Sequence, residues 1–368
     1  MRTRMLLFVV GLALALSGCK KKPPKADKTP EDAPQMAAEM SPEEGPEKKP
    51  ARPGPRPAAV DKVAVLKAGF AAYNAGKDND MIKELPDNVT WIVGGIGALG
   101  VHKGKARIKA YFAGVRKTFP DGKVTPERYI DTGNVVVVQA VFTGTQEGPF
   151  MGKPASNKTI GLPTVYWTYW NGGKLAKLIQ VLDLPTMMRQ MGLMPVMPGM
   201  PAPPVLAAPT GAAEVIKGKP NGKLEALYRK LVSLKSGDAE LAKGFVKDVK
   251  LRGANGLEIN SFVLYKKILA MDEKAYPDLK AKVVQVVAVG DWYAGMIKVT
   301  GTNKGPIGKM KPTGQTIQTS VCHVAKVKDG KIVLGYGYSN SMAVLMQLGL
   351  IPIPGAAKPP KKAAKKGK

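Results

Sequence analysis

The side chains that could bind a metal or form a disulfide are few and widely spaced. They are Cys19 and Cys322 among the cysteines, and His102 and His323 among the histidines. A structural zinc site takes a full tetrahedral set of such ligands, usually as closely spaced pairs, so we expect no metal site. His102 is predicted on an exposed loop, and Cys322 is predicted to pack as a small buried hydrophobic residue.

The chain repeats itself at a fixed offset of 157 positions. The matching motifs are Phe119-Pro120-Asp121 with Tyr276-Pro277-Asp278, Thr143-Gly144-Thr145-x-x-Gly148-Pro149 with Thr300-Gly301-Thr302-x-x-Gly305-Pro306, Asp183 with Asn340, and Gln190-Met191-Gly192 with Gln347-Leu348-Gly349. So many motifs would not share one offset by chance, so the chain is a tandem duplication. We interpret the Thr-Gly-Thr motif as a turn and bulge that bends a sheet. The copies differ at a chemically important position, since Asn340 cannot exchange a proton as Asp183 can.

Each copy contains helices followed by strands, an order typical of α+β domains. The periodicity of apolar residues predicts helices near 60–74, 80–85, 104–118, 224–234 and 261–270, and strands near 89–93, 135–143, 160–170, 175–182, 283–289, 292–300, 316–327 and 332–338. A short helix should follow Pro185, whose fixed φ suits a first helical turn. We therefore expect two tandem cone-shaped barrels, in which helices pack on a strongly bent antiparallel sheet.

Composition predicts where the domains begin and end. A run rich in proline and methionine at 194–210 separates residues 59–193 from residues 211–355, because clustered prolines interrupt both helices and strands. Residues 20–58 are rich in lysine and proline, and residues 356–368 are rich in lysine. Such segments bury too little apolar surface to offset the entropy of ordering, so we expect a disordered tether and a disordered tail.

Residues 1–19 have the pattern of an export signal. Arg2 and Arg4 precede an apolar run that ends in Leu16-Ser17-Gly18-Cys19. The run is shorter than the about 20 residues of a transmembrane helix but suits a signal peptide. Its end resembles the bacterial lipobox, which implies cleavage before Cys19, a lipid on that cysteine and attachment to a membrane. Lys20 implies, by the same analogy, an outer-membrane protein that faces the periplasm.

The formal charge of +28 raises the question of nucleic acid binding. The export signal argues against that partner, and no basic helix or interleaving of basic and aromatic residues supports it. We expect no nucleic acid. Anionic lipid head groups and cell-wall polyanions stay open as partners for this charge.

The motifs resemble the SnoaL-like polyketide cyclase family, within the nuclear transport factor two-like superfamily. The residues that carry the resemblance are Gly104-x-x-x-Ile108, Phe119-Pro120-Asp121, Thr143-Gly144-Thr145-x-x-Gly148-Pro149-Phe150-x-Gly152, Asn171-Gly172-Gly173-Lys174, Asp183 and Gln190-Met191-Gly192. They cover about residues 60–193 and, less completely, 222–350. The resemblance implies an apolar pocket, a ring closure that needs no cofactor, and Asp183 as general acid/base. A carboxyl group in an apolar pocket favours its neutral form and can shuttle a proton.

Some positions depart from the family pattern. Lys177 and Ile179 stand where the family often has Glu and Trp, and Asn340 replaces the acid in the second copy. Asp183 also suits a cap for the helix that begins at Pro185. We therefore predict a lipid-anchored protein whose tandem domains bind a small apolar ligand or a protein partner. A cyclase or isomerase that uses Asp183 is the alternative, and so is a structural module whose sheets pair within or between chains.

Aromatic residues that could line a ligand pocket concentrate in the first copy. Side chains alternate along a strand, so one of two sets faces inward. The sets are Tyr166, Thr168 and Trp170, or Trp167 and Tyr169. The pocket candidates are Trp91, Tyr166, Trp170, Asn340 and His323. His323 aligns with Tyr166, so a ring with a polar group occupies this position in both copies. Ordinary core packing stays open for all of these rings.

Overall fold

The computed structural model describes residues 60–94, 100–196 and 201–351. The predicted signal peptide with Cys19, the tether and the lysine-rich tail lie outside these residues. Within them the chain forms two α+β domains, each with helices packed on one sheet.

The elements of the two domains follow the same order. The first domain contains α1 (Lys62–Asn74), α2 (Asp78–Lys83), β1 (Thr90–Val93), β2 (Val101–Lys103), α3 (Gly104–Thr118), β3 (Lys123–Asp131), β4 (Val135–Thr145), β5 (Thr159–Asn171), β6 (Lys174–Val181) and α4 (Leu184–Gln190). They are followed by β7 (Glu214–Lys217), α5 (Gly222–Ser233), α6 (Ala239–Lys243), β8 (Phe245–Arg252), β9 (Glu258–Ile259), α7 (Phe262–Ala275), β10 (Lys280–Val289), β11 (Trp292–Thr302), β12 (Thr316–Lys328), β13 (Lys331–Ser339) and α8 (Ser341–Gln347).

Both sheets are mixed, whereas the sequence predicted antiparallel ones. Their strand orders are β2-β1-β6-β5-β4-β3-β7 and β10-β11-β12-β13-β8-β9. The long strands form antiparallel hairpins, but β1 runs parallel to β6 and β8 runs parallel to β13. The early strand of each domain is followed by a helix, so it can join the last strand only by a crossover, which permits parallel pairing.

The segment that leads into the second domain completes the sheet of the first. Strand β7 pairs in parallel with Arg128–Asp131 of β3. Before it, the backbone N–H of Leu206 donates to the carbonyl of Gly161 in β5, at 2.9 Å. A Cβ at position 161 would overlap the Leu206 carbonyl, so glycine allows this close approach. The connecting chain is therefore bound to the first domain at Leu206 and along β7.

Successive side chains of a strand point to opposite faces of its sheet. The buried residues therefore form an interior in each domain and an interface between the two sheets. We call the helix-covered side of each sheet its interior. On β5, Tyr166 and Trp170 lie in the interior cluster of the first domain, whereas Trp167 belongs to a cluster shared by both sheets. Trp292 and Cys322 of the second domain lie in that shared cluster, and Cys322 is fully buried, as predicted. The two sheets thus pack face to face through their helix-free sides.

The duplicated Thr-Gly-Thr motifs continue a strand instead of forming a turn. Thr143 to Thr145 end β4 and pair in unbroken register with β5, so this half of the motif forms neither a turn nor a bulge. The chain leaves the strand after Thr145 and bends at Gly148. Both carboxylate oxygens of Asp121 accept hydrogen bonds from Thr145, at 2.6 Å from its N–H and 2.8 Å from its hydroxyl. Asp278 accepts from the N–H of Thr302 at 2.7 Å in the second copy. The repeated aspartate therefore fixes the end of a strand.

The repeated glutamine also has a structural role. The Gln190 side chain accepts from the N–H of Gly161 at 3.1 Å and donates to its carbonyl at 2.9 Å. Gln347 makes the same pair of bonds with Gln318, at 2.6 and 2.9 Å. The final helix of each domain is thereby bound to the strand beside it. The motifs that survive in both copies stabilise the scaffold.

Gly148 offers a test of this structural interpretation. A Cβ at this position would overlap the carbonyl oxygen of Lys117 at the end of α3. We expect Gly148→Ala to lower the free energy of unfolding by about 1–3 kcal/mol through overpacking. Gly114 in α3 is the matched control, because a Cβ there meets no atom within 4 Å. Gly114→Ala should stabilise by about 0.5–1 kcal/mol. Equal effects in urea unfolding would contradict the argument.

Candidate functional site

A polar cluster lies among aromatic rings in the interior of the first domain. Strands β1, β5 and β6 and helix α3 each supply one member. The amide oxygen of Gln180 accepts from the Trp91 Nε1–H at 3.3 Å and from the Tyr111 hydroxyl at 3.5 Å. The Gln180 amide nitrogen donates to the hydroxyl of Tyr166, its cross-strand neighbour, at 3.2 Å. A buried amide needs such partners to offset its desolvation.

Aromatic side chains surround this amide. The Trp91 ring packs edge-on against Phe112 at 4.9 Å between centroids and against Tyr166 at 6.3 Å. Phe70 meets Tyr166 at 5.3 Å. Phe70 and Tyr111 remain only half-buried. The cluster thus joins one amide and its hydrogen-bond partners to a largely apolar aromatic surface, and it reaches solvent at Phe70 and Tyr111.

His102 lies beside the aromatic rings of this cluster. The sequence predicted it on an exposed loop, and that prediction is wrong. It belongs to β2, is half-buried, and stacks on the Tyr111 ring at 4.5 Å. Burial, together with the positive charge of Arg107, lowers its pKa. The neutral imidazole is favoured at neutral pH, so this site presents a flat surface without formal charge.

Of the predicted pocket residues of the first copy, Trp91 and Tyr166 meet at this cluster. Trp170 shares the interior side of the sheet but lies further along β5, where its Nε1–H donates to the Thr168 hydroxyl at 2.9 Å. Trp167 faces the other domain. The inward set is therefore the one that contains Tyr166.

Asp183 lies at the junction of the two domains. One of its oxygens accepts from the N–H and hydroxyl of Thr186, at 3.1 and 2.6 Å, and so caps α4. The other accepts from the N–H and hydroxyl of Ser341, at 2.8 and 2.6 Å, at the start of α8. Four donors fill the lone pairs of the carboxylate. Its catalytic role stays a prediction, and its contacts are those of a cap shared by two helices.

Asn340 lines neither interior, although it was a pocket candidate. Its side-chain oxygen accepts from the N–H of Met342 at 3.1 Å, within the first turn of α8. Its amide nitrogen donates to the carbonyl of Gly94 in the first domain at 2.8 Å. The amide is used for a cap and for a bond between domains, so it is not available to a ligand.

His323 lies in the interior of the second domain, in different surroundings. Its Nδ1 and the Tyr228 hydroxyl are 3.1 Å apart, and the two rings are tilted at 6.0 Å. Burial lowers the pKa of His323 to about 4. The imidazole is therefore neutral at pH 7.

This pKa gives a testable pH dependence. The unfolded chain binds a proton on His323 near its ordinary pKa of 6.5, whereas the folded chain binds it only near about 4. Above pH 6.5 the full stability is present, and it falls as the pH drops from 6.5 towards 4. His102 acts in the same direction. An acid titration of the His323 ring signals by NMR should show a midpoint near 4. A midpoint near 6.5 would contradict the burial.

The sequence did not predict Gln180 and Tyr111 as site residues, although a signal was present. At the fixed offset, Gln180 corresponds to Gly337 and Tyr111 to Ile268. Positions where the second copy loses a polar group from an otherwise apolar face mark the chemistry that is specific to the first. The differences between the two copies at these positions therefore indicate Gln180 and Tyr111 as site residues.

The described part of the chain contains no group of three or more His, Cys, Asp and Glu side chains that could hold a metal ion. Among the same residues, no helix is long and apolar enough to cross a membrane.

The family model of SnoaL-like polyketide cyclases matches residues 72–191 and, a second time, 225–348. No curated protein matches the chain.

Solved structures match a stretch of about one domain. A candidate SnoaL-like polyketide cyclase from Jannaschia sp. CCS1 is 26% identical, with a TM-score of 0.33 over 36% of this chain and 92% of its own. A protein with a ketosteroid isomerase-like fold from Catenulispora acidiphila, in complex with trimethylamine, is 19% identical, with a TM-score of 0.31 over 37% and 96%. A nuclear transport factor two-like protein of unknown function from Burkholderia pseudomallei is 16% identical, with a TM-score of 0.30 over 35% and 95%.

Proposed function

The chain belongs to the SnoaL-like polyketide cyclase family, and we propose that it is an exported, lipid-anchored protein that binds a small apolar ligand in its first domain without transforming it. The observation that carries this proposal is the Gln180 cluster. A single amide among Trp91, Tyr111 and Tyr166 supplies the combination on which small-molecule sites rely, an apolar surface with a few placed polar groups.

The geometry also supports a specific class of ligand for the first domain. The Tyr111 hydroxyl lies 3.5 Å from the Gln180 oxygen, at the weak limit of a hydrogen bond. A ligand that forms a shorter hydrogen bond with the Tyr111 hydroxyl or the Gln180 oxygen would displace this contact at little cost in free energy. Flat rings at Trp91 and His102 favour a planar molecule that carries one oxygen or nitrogen.

The site is proposed to bind without turnover because, among the described residues, no free acid contacts the Gln180 amide. Asp183 is 4% exposed and all four of its acceptor positions are used at the domain junction. Gln180 cannot exchange a proton. His102 is the ionisable imidazole beside the cluster, and it stacks flat on Tyr111.

Native mass spectrometry tests ligand binding in the first domain. Protein purified without detergent should carry a small molecule, and Gln180→Leu should lose it, because leucine keeps the volume but not the hydrogen bonds. The matched control is Gln315→Leu, since that glutamine is exposed. Wild-type protein that carries no small molecule, or equal retention in Gln180→Leu, would contradict the proposal.

The lipid anchor at Cys19 is tested separately. We expect Cys19→Ala to move the protein from the membrane fraction to the soluble fraction of the envelope, because a lipidated cysteine supplies the hydrophobic attachment. Wild-type protein should show a mass increase from acyl chains on the N-terminal peptide. Membrane retention of Cys19→Ala in high salt would contradict the anchor. Release only in high salt would instead indicate attachment through the basic charge.

A further inference from the structure

The sheet of the second domain has three lysines on its helix-free side. Lys280 and Lys282 of β10 pair across the strands with Thr300 and Lys298 of β11. Directly paired residues point to the same side of a sheet, and Met296, two residues before Lys298, lies in the cluster shared by both sheets. Lys280 and Lys282 are exposed and Lys298 is half-buried, so the first domain leaves this part of the sheet open. We call these three lysines the basic face.

The strands around the basic face supply no negative charge. Lys282 and Lys298 are directly opposite each other, an arrangement in which like charges repel. Strands β10, β11 and β12 contain neither Asp nor Glu, and the same holds for β5 and β6 of the first domain. Lys177 of β6 adds a further cation nearby, since it lies over the ring of Tyr169, whose hydroxyl donates to Gln285 of β10.

The corresponding part of the first domain is apolar and covered. At the offset of 157, Lys298 corresponds to Val141 and Gln318 to Gly161. Val141 is 1% exposed. On the neighbouring strand, the Gly161 carbonyl accepts from the N–H of Leu206 in the connecting chain. The connecting chain thus lies against the part of the first sheet that corresponds to the basic face.

The second copy of this connecting chain is not suited to the basic face. The residues after the second domain repeat it, since Pro203-Pro204-x-x-Ala207-Ala208 returns as Pro359-Pro360-x-x-Ala363-Ala364. A Cβ at Gly161 would overlap the Leu206 carbonyl, and Gln318 has such a Cβ. In this repeat Lys361 and Lys362 replace Val205 and Leu206, so like charges would meet. The basic face therefore calls for a different, acidic partner.

The chain itself contains a segment of the opposite charge. Residues 31–47 belong to the predicted tether and contain no lysine or arginine. Their six acids are Glu31, Asp32, Glu39, Glu43, Glu44 and Glu47. The formal charge of the whole chain is +28, so this acidic segment has the charge that the basic face lacks.

The acidic segment is within reach of the basic face. Val60, where the described chain begins, packs against the turn between β5 and β6, since a Cβ at Gly173 would overlap it. Close to this turn, the Tyr169 hydroxyl donates to β10 at 2.7 Å. The path from the turn across the two sheets to Lys282 is about 35 Å. Residues 47–60 are rich in proline and span about 40 Å, and the rest of the segment adds further length.

We propose that the acidic segment 31–47 binds the basic face of the second domain, so that the tether folds back along the pair of domains. The attraction acts between largely exposed groups, so salt weakens it. The covalent connection gives the segment a high effective concentration at the basic face. This contact does not depend on a ligand in the first domain.

Zero-length carbodiimide crosslinking tests the contact, because it joins a carboxylate directly to a lysine amine. The experiment uses the full chain with Cys19→Ala at low concentration, and peptides from the crosslinked monomer are identified by mass spectrometry. We expect crosslinks between the acidic segment and the basic face, and their loss in high salt.

Charge reversal on each side identifies the groups that make the contact. Lys282→Glu with Lys298→Glu should abolish the crosslinks to the remaining lysine of the basic face. Adding Glu43→Lys and Glu44→Lys should restore them, now between lysines of the segment and glutamates of the sheet. This recovery would also show that the first variant is folded.

Lys266→Glu with Lys267→Glu is the matched control, because both lysines are exposed on α7 of the same domain. It should leave the crosslinks to the basic face intact. Crosslinks that spread evenly over exposed lysines, that persist after the reversal at the basic face, or that occur only in dimers would overturn the proposal. So would the absence of crosslinks together with binding to phosphatidylglycerol vesicles through the three lysines, which would assign the basic face to lipid head groups.

Discussion

Asp183→Ala is expected to lower the free energy of unfolding by about 1–4 kcal/mol, since one N-cap is worth about 0.5–2 kcal/mol and this carboxylate accepts hydrogen bonds at the starts of two helices. The caps belong to different domains, at Thr186 in α4 and Ser341 in α8. Both helix starts also gain from the negative charge. Asp183→Asn should cost less, because an amide keeps one acceptor oxygen. Urea unfolding followed by tryptophan fluorescence measures the effect.

Asp248→Ala is the matched control for this prediction. Asp248 lies on β8 and is exposed, so its loss should change the stability by less than about 0.5 kcal/mol. If Asp183→Ala were no more destabilised than Asp248→Ala, the cap would have no energetic role. The family's acid position would then need another explanation.

Arg252→Ala is expected to cost about 3–5 kcal/mol, as is typical when one partner of a buried ion pair is removed. The Arg252 guanidinium donates two hydrogen bonds to Glu127 of the first domain, at 3.1 and 2.6 Å. The two side chains are only 13% and 20% exposed, so solvent screens the pair weakly. The alanine variant leaves the largely covered Glu127 carboxylate without its main partner.

The double variant Glu127→Leu with Arg252→Met distinguishes the cost of an orphaned charge from the loss of packing. It should recover much of the stability, because apolar residues of similar volume replace a buried pair at little cost. Equal destabilisation in the single and double variants would contradict this explanation. A second unfolding transition in Arg252→Ala would show that the pair also couples the two domains.

The sequence predicted the α+β class and the family, because both depend on local signals. Helix α3 was predicted over the same residues that the structure shows, since a clear apolar periodicity and a glycine mark its bounds. Strand β7 was not predicted. It is short, and its partner is β3 of the other domain. Pairing at that sequence distance leaves no local pattern.

The candidate site was predicted in part for the same reason. Trp91 and Tyr166 stand out as aromatic residues on strands, and alternation places Tyr166 on one side or the other. The interior side of the first sheet is the side that the second sheet does not cover. Trp167 lies in the cluster shared by both sheets, so the second sheet packs on the side opposite to Tyr166. Asn340 was misplaced because its partner, the Gly94 carbonyl, lies in the other domain. Contacts between the two domains thus determine both the interior side of β5 and the position of Asn340.

The most direct test of the central claim asks whether the first domain binds its ligand or converts it. The small molecule that co-purifies with wild-type protein is extracted and compared by mass spectrometry with the one carried by Asp183→Asn. Asparagine is the residue that the second copy uses at this position, so the variant should fold. We predict the same molecule in both proteins, recovered unchanged after incubation with wild-type protein. A precursor that accumulates on Asp183→Asn and is converted by wild-type protein would contradict the account.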